Sequence, residues 1–175
     1  MNSSTLFLLS FTLSLILISP LPTLGTSLYE SLCDNAGVDK ARCLEVLKGE
    51  PQIVGAKDSV ELCKLVLELG LKKGLEAQTF LKEAMKTNPS PAIMQCATTL
   101  YDGTIGSFKS SLGELSEDGL TANYDAKVAG DGPTTCDTAL SNANIINPSI
   151  SALNKDILLI SKLAYLATDN LPDNP

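Results

Sequence analysis

Apolar residues along this chain recur at three- and four-residue spacing over long stretches, the period of a helix face, and no alternating run longer than a few residues competes. The longest stretch runs from Asp58 to Thr87. Val60, Cys63, Leu67, Leu71, Gly74, Leu81 and Met85 fall on or near one stripe there, and Asp58 is placed to cap the first turn. "NPSP", 88–91, ends it; Ser90 can cap the next helix and Pro91 fits the first helical position. That second long helix runs to about Ser116, with Cys96, Leu100, Ile105, Phe108 and Leu112 as its inner stripe. Its Gly103 and Gly106 cost about 1 kcal/mol each relative to Ala, so they are expected to mark the close approach of a neighbouring helix. After "EDGL", the segment "TANYDAKVAG" opens a third helix. "GDGP", Gly130 to Pro133, predicts a break or sharp kink, and helix resumes through "TTCDTALSNAN". "NPSIS", 147–151, makes the last turn. A final helix to about Thr168 turns Ile150, Leu153, Ile157, Ile160, Ala164 and Ala167 inward.

Two shorter helical pieces precede these, Ser27 to Gly37 and Asp39 to Gly49, after which Pro51 breaks the chain. Neither is long enough to be stable alone. Short turns between long amphipathic helices predict antiparallel neighbours. The expected fold is all-α: an up-and-down antiparallel four-helix bundle with an N-terminal helical hairpin extension. Ahead of it lies an uncharged apolar run, Leu6 to Ile18, followed by Pro20, Pro22 and the small residues Gly25, Thr26 and Ser27. That order predicts a secretory signal peptide over 1–25. The run falls short of the roughly 20 apolar residues of a spanning helix. Residues 26–175 are then one secreted, extracellular domain with no membrane association after cleavage.

Charge and composition narrow the chemistry. The chain has 20 acidic and 13 basic residues, a net charge of −7. Such a protein is steered toward basic partners and away from nucleic acid and anionic membranes. It has no histidine, which removes Ser-His-Asp and Cys-His arrangements and His-ligated zinc. Tryptophan is absent too, and aromatics make up only 5%, a poor endowment for stacking sugars or bases. Gly103/Gly106 and Gly130/Gly132 lack the strand-to-helix context of a phosphate loop. No catalytic residue, cofactor or metal is expected, and a binding protein is favoured over an enzyme.

Five cysteines remain: Cys33, Cys43, Cys63, Cys96 and Cys136. Counting alone leaves many pairings open. The two short helices carrying Cys33 and Cys43 most need a staple, and antiparallel neighbours bring Cys96 near Cys136. On the chain-entropy model these loops would contribute about 3 and about 4 kcal/mol. Cys63 would then be a buried small hydrophobe.

The order of these features resembles a known family. A Cys-x9-Cys pair on short helices, a long helix, "QCATTLYDGTIGSFKSSL" and "ANYDAKVAGDGPTTCDTAL" are similar to the plant invertase inhibitor and pectin methylesterase inhibitor family, and within it to the pollen-allergen-like branch known from plane tree. The strongest matches are Cys96 followed by Leu100-Tyr101-Asp102, and Thr135-Cys136-Asp137. The resemblance implies a four-helix bundle with disulfides Cys33–Cys43 and Cys96–Cys136. It also implies a non-enzymatic activity, binding and blocking a plant cell-wall enzyme in the apoplast, either pectin methylesterase or acid invertase. Asp102, six residues after Cys96, together with Asn123 and Thr135, match polar target-binding positions of the pectin methylesterase inhibitors. The invertase inhibitors share a Pro-Lys-Phe tripeptide; the corresponding turn here reads Ile145-Ile146-Asn147-Pro148-Ser149, without the Lys and Phe. A helical carrier of an apolar ligand, or a pollen protein without inhibitory activity, is the rival from another class.

Overall fold

The computed structural model describes residues 26–171, which form helices joined by short turns, with no strand among them. The expected signal peptide over 1–25 and the last four residues lie outside the described part. The N-terminal hairpin comprises α1 (Leu28–Asn35) and α2 (Lys40–Lys48), with a 3-10 turn over Gly37–Asp39 between them and a one-turn helix α3 (Pro51–Val54) after them. Then come α4 (Ser59–Thr87), α5 (Pro91–Gln95), a π-helical turn over Cys96–Leu100, α6 (Tyr101–Glu114), α7 (Gly119–Val128), α8 (Asp131–Asn142) and α9 (Pro148–Asp169). Each of α4 and the paired α7–α8 packs against both α6 and α9, which closes an antiparallel four-cornered bundle.

Local chemistry sets the helix starts. The Asp58 carboxylate accepts from the Glu61 backbone N–H at 2.8 Å, and Ser90 accepts from that of Ile93 at 3.1 Å with Pro91 following. Asn147 accepts from Ser149 and Ile150 at the head of α9. Ser27 and Glu30 form a reciprocal capping box on α1, and the Ser27 hydroxyl and backbone hold the Glu30 carboxyl below its usual range. Gly37, at φ 64°, takes the left-handed turn that ends α1.

The hairpin is stapled by Cys33–Cys43, with Cα atoms 5.5 Å apart, and α5–α6 is tied to α8 by Cys96–Cys136, at 5.1 Å. Lys162 on α9 donates to the Ala36 carbonyl at 2.8 Å and to Asp39 at 2.6 Å, and Arg42 pairs with Asp156 at 2.8 Å, so α9 also holds the hairpin.

Four expectations need correction. Pro51 does not simply break the chain; it starts α3, where its missing N–H is no loss. Val60 is 50% exposed, because the inner face of α4 runs through Leu62, Cys63, Val66, Leu67, Gly70, Gly74, Ala77 and Leu81. The second long helix is not uniformly α. Its π-helical turn widens the spiral so that the Tyr101 N–H bonds to the Cys96 carbonyl five residues back, and both Cys96 and Tyr101 face the core. Gly103 and Gly106 do not receive a neighbouring backbone: a Cβ at either would meet nothing within 4 Å. The close approaches fall elsewhere. A Cβ at Gly70 would run into the Phe108 ring, and one at Gly132 into the Leu100 carbonyl and the Thr104 hydroxyl. The break expected over Gly130–Pro133 is confined to Ala129 and Gly130 between α7 and α8, and Asp131, Gly132 and Pro133 already form the first turn of α8.

Gly132→Ala is therefore expected to destabilise by about 2–4 kcal/mol, since backbone cannot move aside as a side-chain tip can. Gly103→Ala and Gly106→Ala are each expected to stabilise by about 0.5–1 kcal/mol through helix propensity. Urea unfolding of the three single variants reads both signs. For Cys63, fully buried and unbonded, burial pushes the thiol up to about 12. Native protein at pH 8 is expected to resist iodoacetamide, and unfolded, non-reduced protein to gain one adduct by mass spectrometry.

Candidate target-binding face

Residues 91–147 form one hairpin, α5–α6 running against α7–α8. Its register is pinned at three points: Cys96 to Cys136, Leu100 to Gly132, and the Ser111 hydroxyl donating to the Ala122 carbonyl at 2.7 Å. Each step forward along α6 is matched by an equal step back along α8 and α7. Asp102 is thus level with Asp131, Lys109 with Tyr124, and Gly113 with Leu120.

The three matched positions sit differently in this frame. Asp102 is exposed on the α4 side of α6 and accepts from Gln78 Nε2 at 2.6 Å, which ties the carboxylate to α4. Thr135 is exposed on the outer face of α8, next to the disulfide and about one turn along the axis from the Asp102 level. Asn123 is half-buried and turned the other way: its Nδ2 donates to the Tyr165 carbonyl at 3.0 Å and to Thr168 Oγ1 at 2.9 Å, joining α7 to α9. The structure brings Asp102 and Thr135 to one end of the hairpin and leaves Asn123 about 12 Å farther along, facing α9.

Behind Thr135 lies a buried polar network. The Tyr101 hydroxyl donates to Asn154 Oδ1 at 2.7 Å, and Asn154 Nδ2 donates to Asp137 Oδ1 at 2.7 Å. Burial, then the charge of Asp137, push the Tyr101 phenol above its usual range, so it stays a neutral donor. The chain links α6, α9 and α8 directly beneath the exposed surface of the last.

Charge is unevenly spread over the molecule. Residues 91–147 carry seven of the 20 acidic groups: Asp102 and Glu114 on α6, Glu117 and Asp118 in the turn, Asp125 on α7, and Asp131 and Asp137 on α8. They hold two of the 13 basic ones, Lys109 and Lys127. The remainder is close to neutral, with 13 acidic and 11 basic residues. All seven ion pairs among the described residues belong to that remainder. Within the hairpin, Asp118 is committed to capping α7, where the Thr121 backbone N–H foremost holds its carboxyl below the usual range. Among the described residues, the carboxylates of Glu114, Glu117, Asp125 and Asp131 form none of the seven ion pairs. The face also exposes Leu120 and Tyr124, which lie on no inward stripe. Their signal was present: the core side of α7 is only Ala122 and Ala126, so its large apolar residues had nowhere inside to go.

Among the described residues no cluster of three or more His, Cys, Asp or Glu side chains could hold a metal ion, and no helix is long and apolar enough to cross a membrane. Two open grooves flank the hairpin extension, one of about 460 Å³ between α3 and α4, the other of about 690 Å³ between the α2 region and α9. Both open to the surface rather than into the bundle.

The fold and this face define a disulfide-stapled four-helix bundle whose distinguishing surface is a sparsely neutralised acidic hairpin. A model of the plant invertase/pectin methylesterase inhibitors matches residues 27–168, and the chain belongs to that family. Two solved structures share the fold. Mutant form A of a pectin methylesterase inhibitor from Arabidopsis is 21% identical, with a TM-score of 0.74 over 85% of this chain and 100% of that one. A pectin methylesterase inhibitor from Arabidopsis thaliana is 20% identical, with a TM-score of 0.62 over 83% of this chain and 97% of that one. No curated protein matches the chain by sequence.

Asn123→Ala is expected to cost about 1–2 kcal/mol of stability by stranding the groups it joins, whereas Thr135→Ala, at an exposed position, should stay within about 0.5 kcal/mol. Thermal unfolding of the two variants separates the residue that builds the face from the one displayed on it.

Proposed function

We propose that the mature chain is a secreted inhibitor that binds a plant cell-wall carbohydrate-modifying enzyme one to one and blocks it, with pectin methylesterase as the first target. The observation that carries this reading is the uncompensated acidity of α6–α8, on the same hairpin that displays Asp102 and Thr135. Such a surface speeds association with a basic enzyme and rejects acidic ones. Asp102 and Thr135 are the target-contacting residues in this reading, and Asn123 supports them by positioning α7. Family membership adds to it, since the family is one of enzyme inhibitors. Two buried disulfides suit an oxidising, extracellular setting, in keeping with a signal peptide over 1–25. A carrier role is disfavoured because the grooves seen are external and the bundle interior is filled by fully buried Tyr101, Phe108, Leu67, Leu81, Ile160 and Leu163.

One observation favours acid invertase as a second target. Asn144, at φ 54°, turns the α8–α9 loop so that Ile146 stands 93% exposed at the position matching the invertase inhibitors' tripeptide. The Lys and Phe of that tripeptide are missing, which ranks this reading second.

The purified mature domain is expected to inhibit pectin methylesterase at mildly acidic pH. Asp102→Ala and Thr135→Ala should each weaken inhibition by about three- to tenfold without changing the fold. Selective inhibition of acid invertase, abolished by Ile146→Ser, would establish the second reading instead. No effect on either enzyme would overturn both.

A further inference from the structure

Single exposed apolar side chains are normal on any protein surface. On α7 two stand together: Leu120 is 84% exposed and Tyr124 is 66% exposed, four residues apart and so adjacent on one helical face. With Ala122 and Ala126 turned to the core, α7 carries small residues inward and large ones outward, the reverse of an amphipathic surface helix. Exposed carboxylates flank the pair along the chain, Glu117 in the turn before α7 and Asp131 at the head of α8, with Thr135 exposed one turn farther along α8. Among the described residues neither nearby cation, Lys109 or Lys127, forms an ion pair with these carboxylates, and Lys127 lies over the Tyr165 ring, 5.7 Å from its centre.

We propose that Leu120 and Tyr124 are the apolar anchor of the docking face, and that they enter an apolar depression rimmed by Lys or Arg on a basic protein. The partner's enzymatic class rests on the function proposed above; its surface chemistry follows from this face alone. Tyr is among the residues that dominate interface energies, because it buries a large area at little conformational cost while its hydroxyl stays satisfied. The surrounding carboxylates set the partner's sign. A second copy of this chain is the poorer occupant, since it would bring the same negative hairpin and a net charge of −7. An anionic membrane is repelled for the same reason. Division of labour follows: the acidic groups govern how fast the complex forms, and the apolar pair governs how long it lasts.

The test uses the mature disulfide-bonded protein in two arms. In the first, binding kinetics to a basic pectin methylesterase are measured for wild type, for Leu120→Ser with Tyr124→Ser, and for Glu117→Gln with Asp131→Asn. The double serine variant is expected to dissociate about tenfold or more faster with an unchanged salt dependence of association. The charge-neutralised variant is expected to associate more slowly and with a shallower salt dependence. Circular dichroism and thermal unfolding verify that both variants fold, as exposed sites predict. In the second arm, a basic amphipathic Lys/Leu peptide is titrated into isotopically labelled wild type and followed by amide chemical shifts. Shifts clustered on 117–131 support the surface. Enzyme binding that is indifferent to the serine pair overturns the anchor while leaving the inhibitor reading intact. Peptide shifts on 117–131 without enzyme binding overturn the inhibitor reading and keep the surface. Shifts scattered or centred elsewhere, or self-association through α7 in sedimentation, overturn the surface itself.

Discussion

The structure depends on how closely α8 approaches the π-helical turn at the head of α6. Gly132 presses against the Leu100 carbonyl because it has no side chain to hold the helices apart. That contact lets Cys96 and Cys136 bond, and it sets Asp137 within reach of Asn154. The π-helical turn is the matching adjustment on the other helix: without its extra residue, Cys96 and Tyr101 would point in different directions and only one could reach the interior. Disulfide, glycine contact and polar network are three outcomes of one helix–helix distance. The register of the whole α5–α8 hairpin, and with it every residue on the candidate face, is carried outward from that point.

Much of the fold was legible because helices announce themselves locally. Asp58, Ser90 with Pro91, and Asn147 with Pro148 mark their own helix starts by chemistry that reaches only three residues. The α9 stripe could likewise be read directly, and so could a break near Gly130, though Asp131 to Pro133 belong to α8. What escaped depends on distant partners. Nothing in "QCATTLY" distinguishes a π-helical turn from an α-helical one until Cys136 and Gly132 are in place. Gly103 and Gly106 looked like contact glycines and face open space, while Gly70, which passed unnoticed, takes the Phe108 ring. A glycine in a helix reports that room or close approach is tolerated, and only the opposing surface decides which.

The candidate face was legible in a different measure. Asp102, Asn123 and Thr135 came from resemblance, which transfers positions without their environments. Asn123 shows the cost of that: whether its amide is displayed or consumed depends on Tyr165 and Thr168, more than forty residues later. The charge imbalance was available in the sequence but invisible in its total. A net charge of −7 says nothing about location, and ion pairing within α4 and between α9 and the hairpin extension leaves the surplus negative charge on α5–α8.

That concentration makes the molecule an electric lever. With neutral bulk on one side and surplus negative charge on the other, a positively charged body exerts a torque on it before the two touch. In physiological salt the field reaches only about 8–10 Å, less than the width of the bundle, so an approaching partner senses one side and hardly feels the other. The protein would turn its negative hairpin forward during the last stretch of diffusion. Many random collisions would thereby become encounters that already face the right way.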